Sequence, residues 1–168
     1  MSVIVHKKES VRVNVMVVTI SDTRTKETDK SGQRMIELLN QHEYKIVAYD
    51  IVKDDKQAIE QILQQGCRDP RVQVILMNGG TGIAKRDVTF DILQTFIERP
   101  IPGFGELFRM LSYEEIGSAA MLSRASAGIV QETAIFSTPG STNAVSLAME
   151  KLILPELPHI VSEMNKTT

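Results

Sequence analysis

At 168 residues the chain fits one domain of common size and leaves no room for two independent cores. Hydrophobic residues make up 42% of it, aromatics 5%, and 19 Lys and Arg against 21 Asp and Glu leave a formal charge of −2. That balance argues against a nucleic-acid partner, which calls for a basic stripe or a stacking platform, because the longest basic run is Lys7-Lys8.

Residues 1–10 read as a polar tail in which Val3-Ile4-Val5 is too short for a signal-peptide core. No apolar run in the chain approaches the ~20 residues that span a bilayer, so a cytoplasmic protein without a membrane partner is expected. Residues 12–20, RVNVMVVTI, are dense in Val and Ile and read as a buried strand. A polar loop follows, and Ser31 is predicted to cap a helix whose Met35, Leu38, Leu39 and His42 share one face. Residues 44–52 form a second predicted strand. The next helix carries Ile59, Ile62 and Leu63 on one face, with Gly66 as its left-handed cap. Cys67 is the only cysteine, which excludes an internal disulfide and fits a reducing compartment. Its neighbours Arg68-Asp69-Pro70 suggest a helix end more than a reactive thiol.

Residues 72–77 are a third predicted strand, followed by Asn78-Gly79-Gly80-Thr81-Gly82. Asp87 is placed as the cap of a helix bearing Ile92, Leu93, Phe96 and Ile97. Pro100 and Pro102 break the chain before a helical stretch at 104–111, whose apolar residues Phe104, Leu107, Phe108, Met110 and Leu111 have no assigned place. Residues 133–137 form a fourth strand, ended by Pro139-Gly140. A last helix runs from about 141 to 154 and stops at Pro155.

Strands alternating with helices, each strand a continuous apolar run, predict an α/β fold with helices on both faces of a mainly parallel sheet. In such a sheet the carboxyl ends of parallel strands share one edge, and ligands bind there. Four polar segments follow the strands: Ser21-Asp22, Asp54-Asp55, residues 78–87 and residues 138–141. They are expected to converge into one site.

Gly79, Gly80 and Gly82 let backbone approach a ligand closely and expose successive N–H groups, the chemistry of an anion nest; a plain tight turn would use the same residues. The spacing is neither G-x-G-x-x-G nor a Walker loop, which disfavours a dehydrogenase or a P-loop NTPase. Taken singly, Asp87, Asp54 and Asp55 could each be ordinary helix caps, and so could Ser141 after Pro139-Gly140. Carboxylates beside a phosphate nest repel the phosphate unless a cation lies between them, and hard oxygen ligands beside phosphates are the usual setting for Mg²⁺. Arg109 and Arg124 could each pair with an anion, although a solvated side chain is the default, and the three histidines lack metal-ligand spacing.

The run from Asn78 to Thr89, NGGTGIAKRDVT, resembles the GGTG…RDVT motif of the MoaB/MogA family of molybdenum cofactor biosynthesis proteins. Gly103-Phe104-Gly105-Glu106 is similar to the family's GFGE segment, and Leu122-Ser123-Arg124-Ala125 to its LSRA segment. Thr138-Pro139-Gly140-Ser141 resembles the PGS signature of the MoaB branch. The likeness spans roughly residues 12–157, a core that fills a single domain over 1–168.

The resemblance implies a doubly wound α/β domain assembled as a homotrimer or homohexamer. It also implies transfer of AMP from Mg-ATP to the terminal phosphate of molybdopterin, with release of pyrophosphate. A molybdate-inserting protein of the same pathway is then an implied partner. The family's two essential aspartates fall on Asp54 and Asp87, with Asp55 one residue away from the first. Ser21, Asp22, Gly79, Gly80, Thr81, Gly82, Pro139, Gly140 and Ser141 fall on its substrate-binding segments. Asn78 stands where many members have Thr. A molybdopterin-binding or scaffold protein without turnover would use the same pocket.

Overall fold

The computed structural model describes residues 12–167. The predicted amino-terminal tail, with His6, lies outside the described residues. The elements run β1 (Asn14–Ile20), α1 (Lys30–Gln41), β2 (Lys45–Val52), α2 (Lys56–Arg68), β3 (Val74–Asn78), α3 (Thr89–Phe96) and β4 (Arg99–Pro100). There follow α4 (Pro102–Ile116), a 3₁₀ segment (Gly117–Leu122), β5 (Ser126–Val130), β6 (Thr133–Thr138) and α5 (Thr142–Ala148). A π turn (Met149–Ile153) joins α5 to α6 (Leu154–Met164).

One six-stranded sheet has the order β2-β1-β3-β6-β5-β4. The first four of these run parallel, while β5 pairs antiparallel with both β6 and β4. Alternation along each strand divides the core. Val15, Val17, Leu76 and Phe136 meet α1, α4, α5 and α6, while Met16, Val18, Ile75 and Ile135 meet α2 and α3. Each such fully buried aliphatic side chain contributes about 1.5–3 kcal/mol. Burial on both faces explains why these strands show no polar alternation.

Several predicted boundaries differ. Helix α1 is capped by Asp29, whose side chain accepts from the Gly32 N–H, and Ser31 lies buried inside its first turn. Gly66 does not end α2, which continues to Arg68; a Cβ at Gly66 would lie 2.7 Å from Ile75 Cδ1 and 2.9 Å from Met16 Sδ. Gly66 is therefore glycine because α2 packs tightly on the sheet. Pro155 does not stop the last helix. The π turn before it reorganises the hydrogen-bond ladder, so Pro155 falls in the first turn of α6, where a missing N–H costs nothing. Of the apolar residues left unplaced at 104–111, Phe104 and Phe108 fill the core, and Leu107 and Met110 are exposed. Strands β4 and β5 have no counterpart in the sequence reading. Pro100 suits the terminal position of an edge strand, and Gly128 depresses the strand signal of β5.

Among the described residues, no helix is long and apolar enough to cross a membrane.

Candidate active site at the carboxyl edge of the sheet

The chain leaves β1 for β2 on one side and returns to β3 on the other, so the loops after β1 and β3 part and leave a crevice between them. All four predicted polar segments meet there. The Asp54 N–H donates to Asp22 Oδ1 at 3.0 Å, which ties the loop after β2 to the loop after β1. The Gly79 N–H donates to the Thr138 carbonyl at 2.9 Å, joining the glycine turn to the segment after β6. Ser21 organises its own loop, its hydroxyl accepting from the N–H groups of Thr23 and Arg24 at 3.2 and 3.1 Å.

The glycine turn needs glycine at two places. Gly79 has φ +102°, and a Cβ there would sit 2.3 Å from the Ile20 carbonyl oxygen. Gly80 has φ +70°, and its Cβ would sit 2.3 Å from Thr89 Oγ1 and 3.4 Å from Asp54 Oδ1. Among the described residues, the N–H groups of Gly80, Thr81 and Gly82 have no hydrogen-bond acceptor, so three donors follow one another around this turn. The Pro139-Gly140 turn packs against it, a Cβ at Gly140 lying 3.4 Å from Gly79 Cα. Pro139 receives a hydrogen bond on its carbonyl from the Thr138 hydroxyl at 3.3 Å. Ser141 caps α5, its Oγ accepting from the Ala144 N–H at 3.2 Å.

The aspartates divide by role. Asp55 is the cap of α2, accepting from the Ala58 N–H at 2.9 Å. Asp54 is not a cap: its Oδ1 is buried without a hydrogen-bond partner. Burial first, then the charges of Asp87 and Asp22, push the Asp54 carboxyl above its ordinary pKa, against the opposing pull of the Val88 N–H and Arg86. Asp87 was expected to cap α3, but the cap position is Val88, without a side-chain bond. Asp87 Oδ2 instead accepts from the Ala84 N–H at 3.1 Å and closes the loop that carries it. Three carboxylates thus face one rim, although no three His, Cys, Asp or Glu side chains among the described residues are arranged to hold a metal ion by themselves.

Two arginines have structural work that local sequence did not reveal. Arg124 was expected to be solvated, yet it staples the glycine loop, donating to the carbonyls of Gly82 at 2.9 Å and Asp87 at 2.5 Å and pairing with Asp91 at 3.1 Å. Arg109 likewise donates to the Ser123 and Ala125 carbonyls at 3.3 and 3.0 Å. Beneath the rim Asn78 donates to Thr19 Oγ1 at 2.9 Å and accepts from Ser31 at 2.8 Å. A polar residue ending an apolar strand was the available signal for that buried network.

Away from this edge, a depression of about 450 Å³ lined by Cys67, Gln73 and Glu132 lies at the amino-terminal ends of β3 and β6. Burial pushes the Cys67 thiol up to about 11, so it is protonated at neutral pH and is no nucleophile.

Comparison with known proteins agrees with this architecture. The family described as "Probable molybdopterin binding domain" matches residues 16–159. The chain is 55% identical over 168 residues to molybdenum cofactor biosynthesis protein B of Bacillus subtilis, covering 99% of each chain. A crystal structure of a molybdenum cofactor biosynthesis protein B superposes with TM-score 0.91 at 54% identity, over 94% of this chain and 98% of that one. The tungsten cofactor synthesizing protein MoaB of Pyrococcus furiosus gives TM-score 0.83 at 36% identity, over 92% and 98%.

Proposed function

The chain belongs to the molybdopterin-binding domain family of the MoaB and MogA proteins, and on that premise we propose that it acts in molybdenum cofactor biosynthesis as a molybdopterin adenylyltransferase. The observation that carries the catalytic part is Asp54. Its Oδ1 is buried and unpartnered, and it lies beside the left-handed Gly80 with the Asp87 and Asp22 charges close enough to raise its pKa. A fold gains nothing in stability by crowding carboxylates in this way, and such strained groups cluster where chemistry is done.

In the proposed reaction an oxygen of the molybdopterin terminal phosphate attacks the α-phosphorus of ATP. The new P–O bond forms as the bond to the β-phosphate oxygen breaks, and pyrophosphate leaves with that electron pair. No enzyme nucleophile is required. The chain's contribution is positioning and electrostatic stabilisation. The N–H groups of Gly80, Thr81 and Gly82 donate to phosphate oxygens, and the partial positive charge at the start of α3 adds to them. Arg124 keeps these donors in place by holding the Gly82 and Asp87 carbonyls.

The donor set fits Mg²⁺: it is all oxygen, includes an unpartnered buried carboxylate oxygen, and lacks the third protein ligand of a closed cage. Mg²⁺ typically takes one or two carboxylates and completes its shell with substrate phosphates and water. Asp54 and Asp87 would hold it, and when bound it would neutralise charge on the phosphates. Incubation with molybdopterin, ATP and Mg²⁺, following pyrophosphate release, tests the reading. A protein that binds molybdopterin without any release would instead be a scaffold of the same pathway.

A further inference from the structure

The transfer chemistry leaves one buried charged group without a task. Asp29 has no exposed surface. Its Oδ2 accepts from the Thr19 hydroxyl at 2.6 Å and the Tyr49 hydroxyl at 2.5 Å. Its Oδ1 accepts from the Gly32 N–H at 3.1 Å and faces Arg24 Nη1 at 3.5 Å, while Ser31 Oγ lies 3.3 Å away with its hydrogen given to Asn78. Burial, and then the bond to Asp29, push the Tyr49 phenol above its ordinary pKa, so Tyr49 stays a donor. A buried carboxylate is costly unless fully paired, and Asn would cap α1 as well. With donors on both oxygens, the negative charge itself is matched by the facing cation, Arg24.

Arg24 Nη1 donates to Ser31 Oγ at 2.5 Å, and its Nη2 reaches across the crevice to the Gly140 carbonyl at 3.0 Å. The loop after β1 and the turn after β6 are thereby fixed to each other across β3, which lies between their strands. Gly140 is the contact surface on the far side: a Cβ there would be 3.4 Å from Gly79 Cα and 3.9 Å from Arg24 Nη1. Any displacement of Gly140 moves one wall of the glycine turn.

We propose that Asp29 and Arg24 form a strut that sets the distance between the Pro139–Ser141 turn and the glycine turn, making Arg24 a positioning residue for the phosphate end of the ligand. The inference rests on the anion-site reading above. A planar guanidinium can bond Ser31 and Gly140 at once in fixed directions, which an ammonium cannot do. Asp29 holds that guanidinium in register through charge.

The probe is inorganic pyrophosphate with Mg²⁺, titrated calorimetrically into the parent, Arg24→Ala, Arg24→Lys and Asp29→Asn. Pyrophosphate binding should weaken by about tenfold or more in Arg24→Ala, the scale on which misplaced binding groups act. Added ethylguanidinium should restore it, and Arg24→Lys should not. Where turnover is measurable, KM should rise in Arg24→Ala more than kcat falls. Unchanged pyrophosphate binding in Arg24→Ala would overturn the strut, as would weakening that ethylguanidinium fails to reverse, which marks a purely structural loss. If Asp29→Asn unfolds, the Arg24 variants still decide the matter. A parent that binds pyrophosphate through Arg24 but never releases it from ATP would keep the strut and refute adenylylation. A parent that binds no pyrophosphate would refute the anion site and the strut together.

Discussion

Replacing Gly80 by alanine probes the glycine turn at the point where geometry is least forgiving. The residue sits at φ +70°, and an added Cβ would lie 2.3 Å from Thr89 Oγ1, well inside contact distance. Left-handed backbone at a non-glycine residue costs about 1–3 kcal/mol, and forcing the buried Thr89 side chain aside costs about 1–3 kcal/mol more. The sum is about 2–6 kcal/mol, or a drop of roughly 4–24 °C in Tm for a domain of this size. A β-branched replacement, Gly80→Val, should cost more. The steric share can be isolated by a double-mutant cycle. Thr89→Ala removes the clashing Oγ1, so Gly80→Ala should be milder by about 1–3 kcal/mol in that background. Urea unfolding of the four proteins measures this, with pyrophosphate titration of the same samples reporting the anion site. Gly103→Ala is the control: it lies in the first turn of α4 with nothing within 4 Å of the added Cβ, so it should be neutral or slightly stabilising. A Gly80→Ala variant as stable as Gly103→Ala, or a cycle with no coupling, would refute the assigned turn geometry.

Three further outcomes are expected. Asp54→Asn should raise stability near pH 7 by about 0.5–1 kcal/mol, a figure kept small because solvent screens a half-exposed group. The sign is fixed by the raised pKa: the folded state binds the proton more tightly, so the parent loses stability as pH rises through the folded pKa. The advantage of the Asn variant should therefore shrink in melts taken at progressively lower pH, and an advantage independent of pH would contradict it. Arg124→Gln removes bonds to Gly82, Asp87 and Asp91. It should cost about 1–3 kcal/mol and speed amide exchange at residues 82–88 while the strands stay protected. Leu107, Met110, Tyr113, Ile116, Met121 and Leu122 are all about half exposed or more on α4 and the 3₁₀ segment after it. An apolar face of that kind suits subunit contact, so light scattering should find a trimer or hexamer, and a monomer at micromolar concentration would count against it.

Much of this was legible in the sequence because it depends on local chemistry. Buried strands such as residues 74–78 have no polar alternation to confuse them, and parallel strands put their following loops on one edge whatever the details of packing. The Gly79-Gly80 pair was readable as a tight turn from its setting alone. The less legible features depend on partners distant in sequence. Arg124 and the carbonyls it holds are about forty residues apart, so nothing near it signals a staple. Asp29 and Ser31 are equally good cap residues two positions apart, and only the tertiary bonds to Thr19, Tyr49 and Arg24 select Asp29. The choice between Asp54 and Asp55 has the same character. One caps α2, and the other is held over the glycine turn by Asp22.

The central claim is that the carboxylates at this rim serve adenylyl transfer and are not there for the fold. Asp87→Asn tests it most directly, because Asp87 is not the cap of α3 and the bond its side chain accepts among the described residues, from the Ala84 N–H, can be accepted equally well by an amide oxygen. The measurement is pyrophosphate release from ATP in the presence of molybdopterin and Mg²⁺, parent against variant, with melting curves and molybdopterin binding recorded alongside. The account predicts a parent that turns over and a variant that melts and binds molybdopterin like it while release falls about a hundredfold or more. Equal release from the two proteins would contradict it.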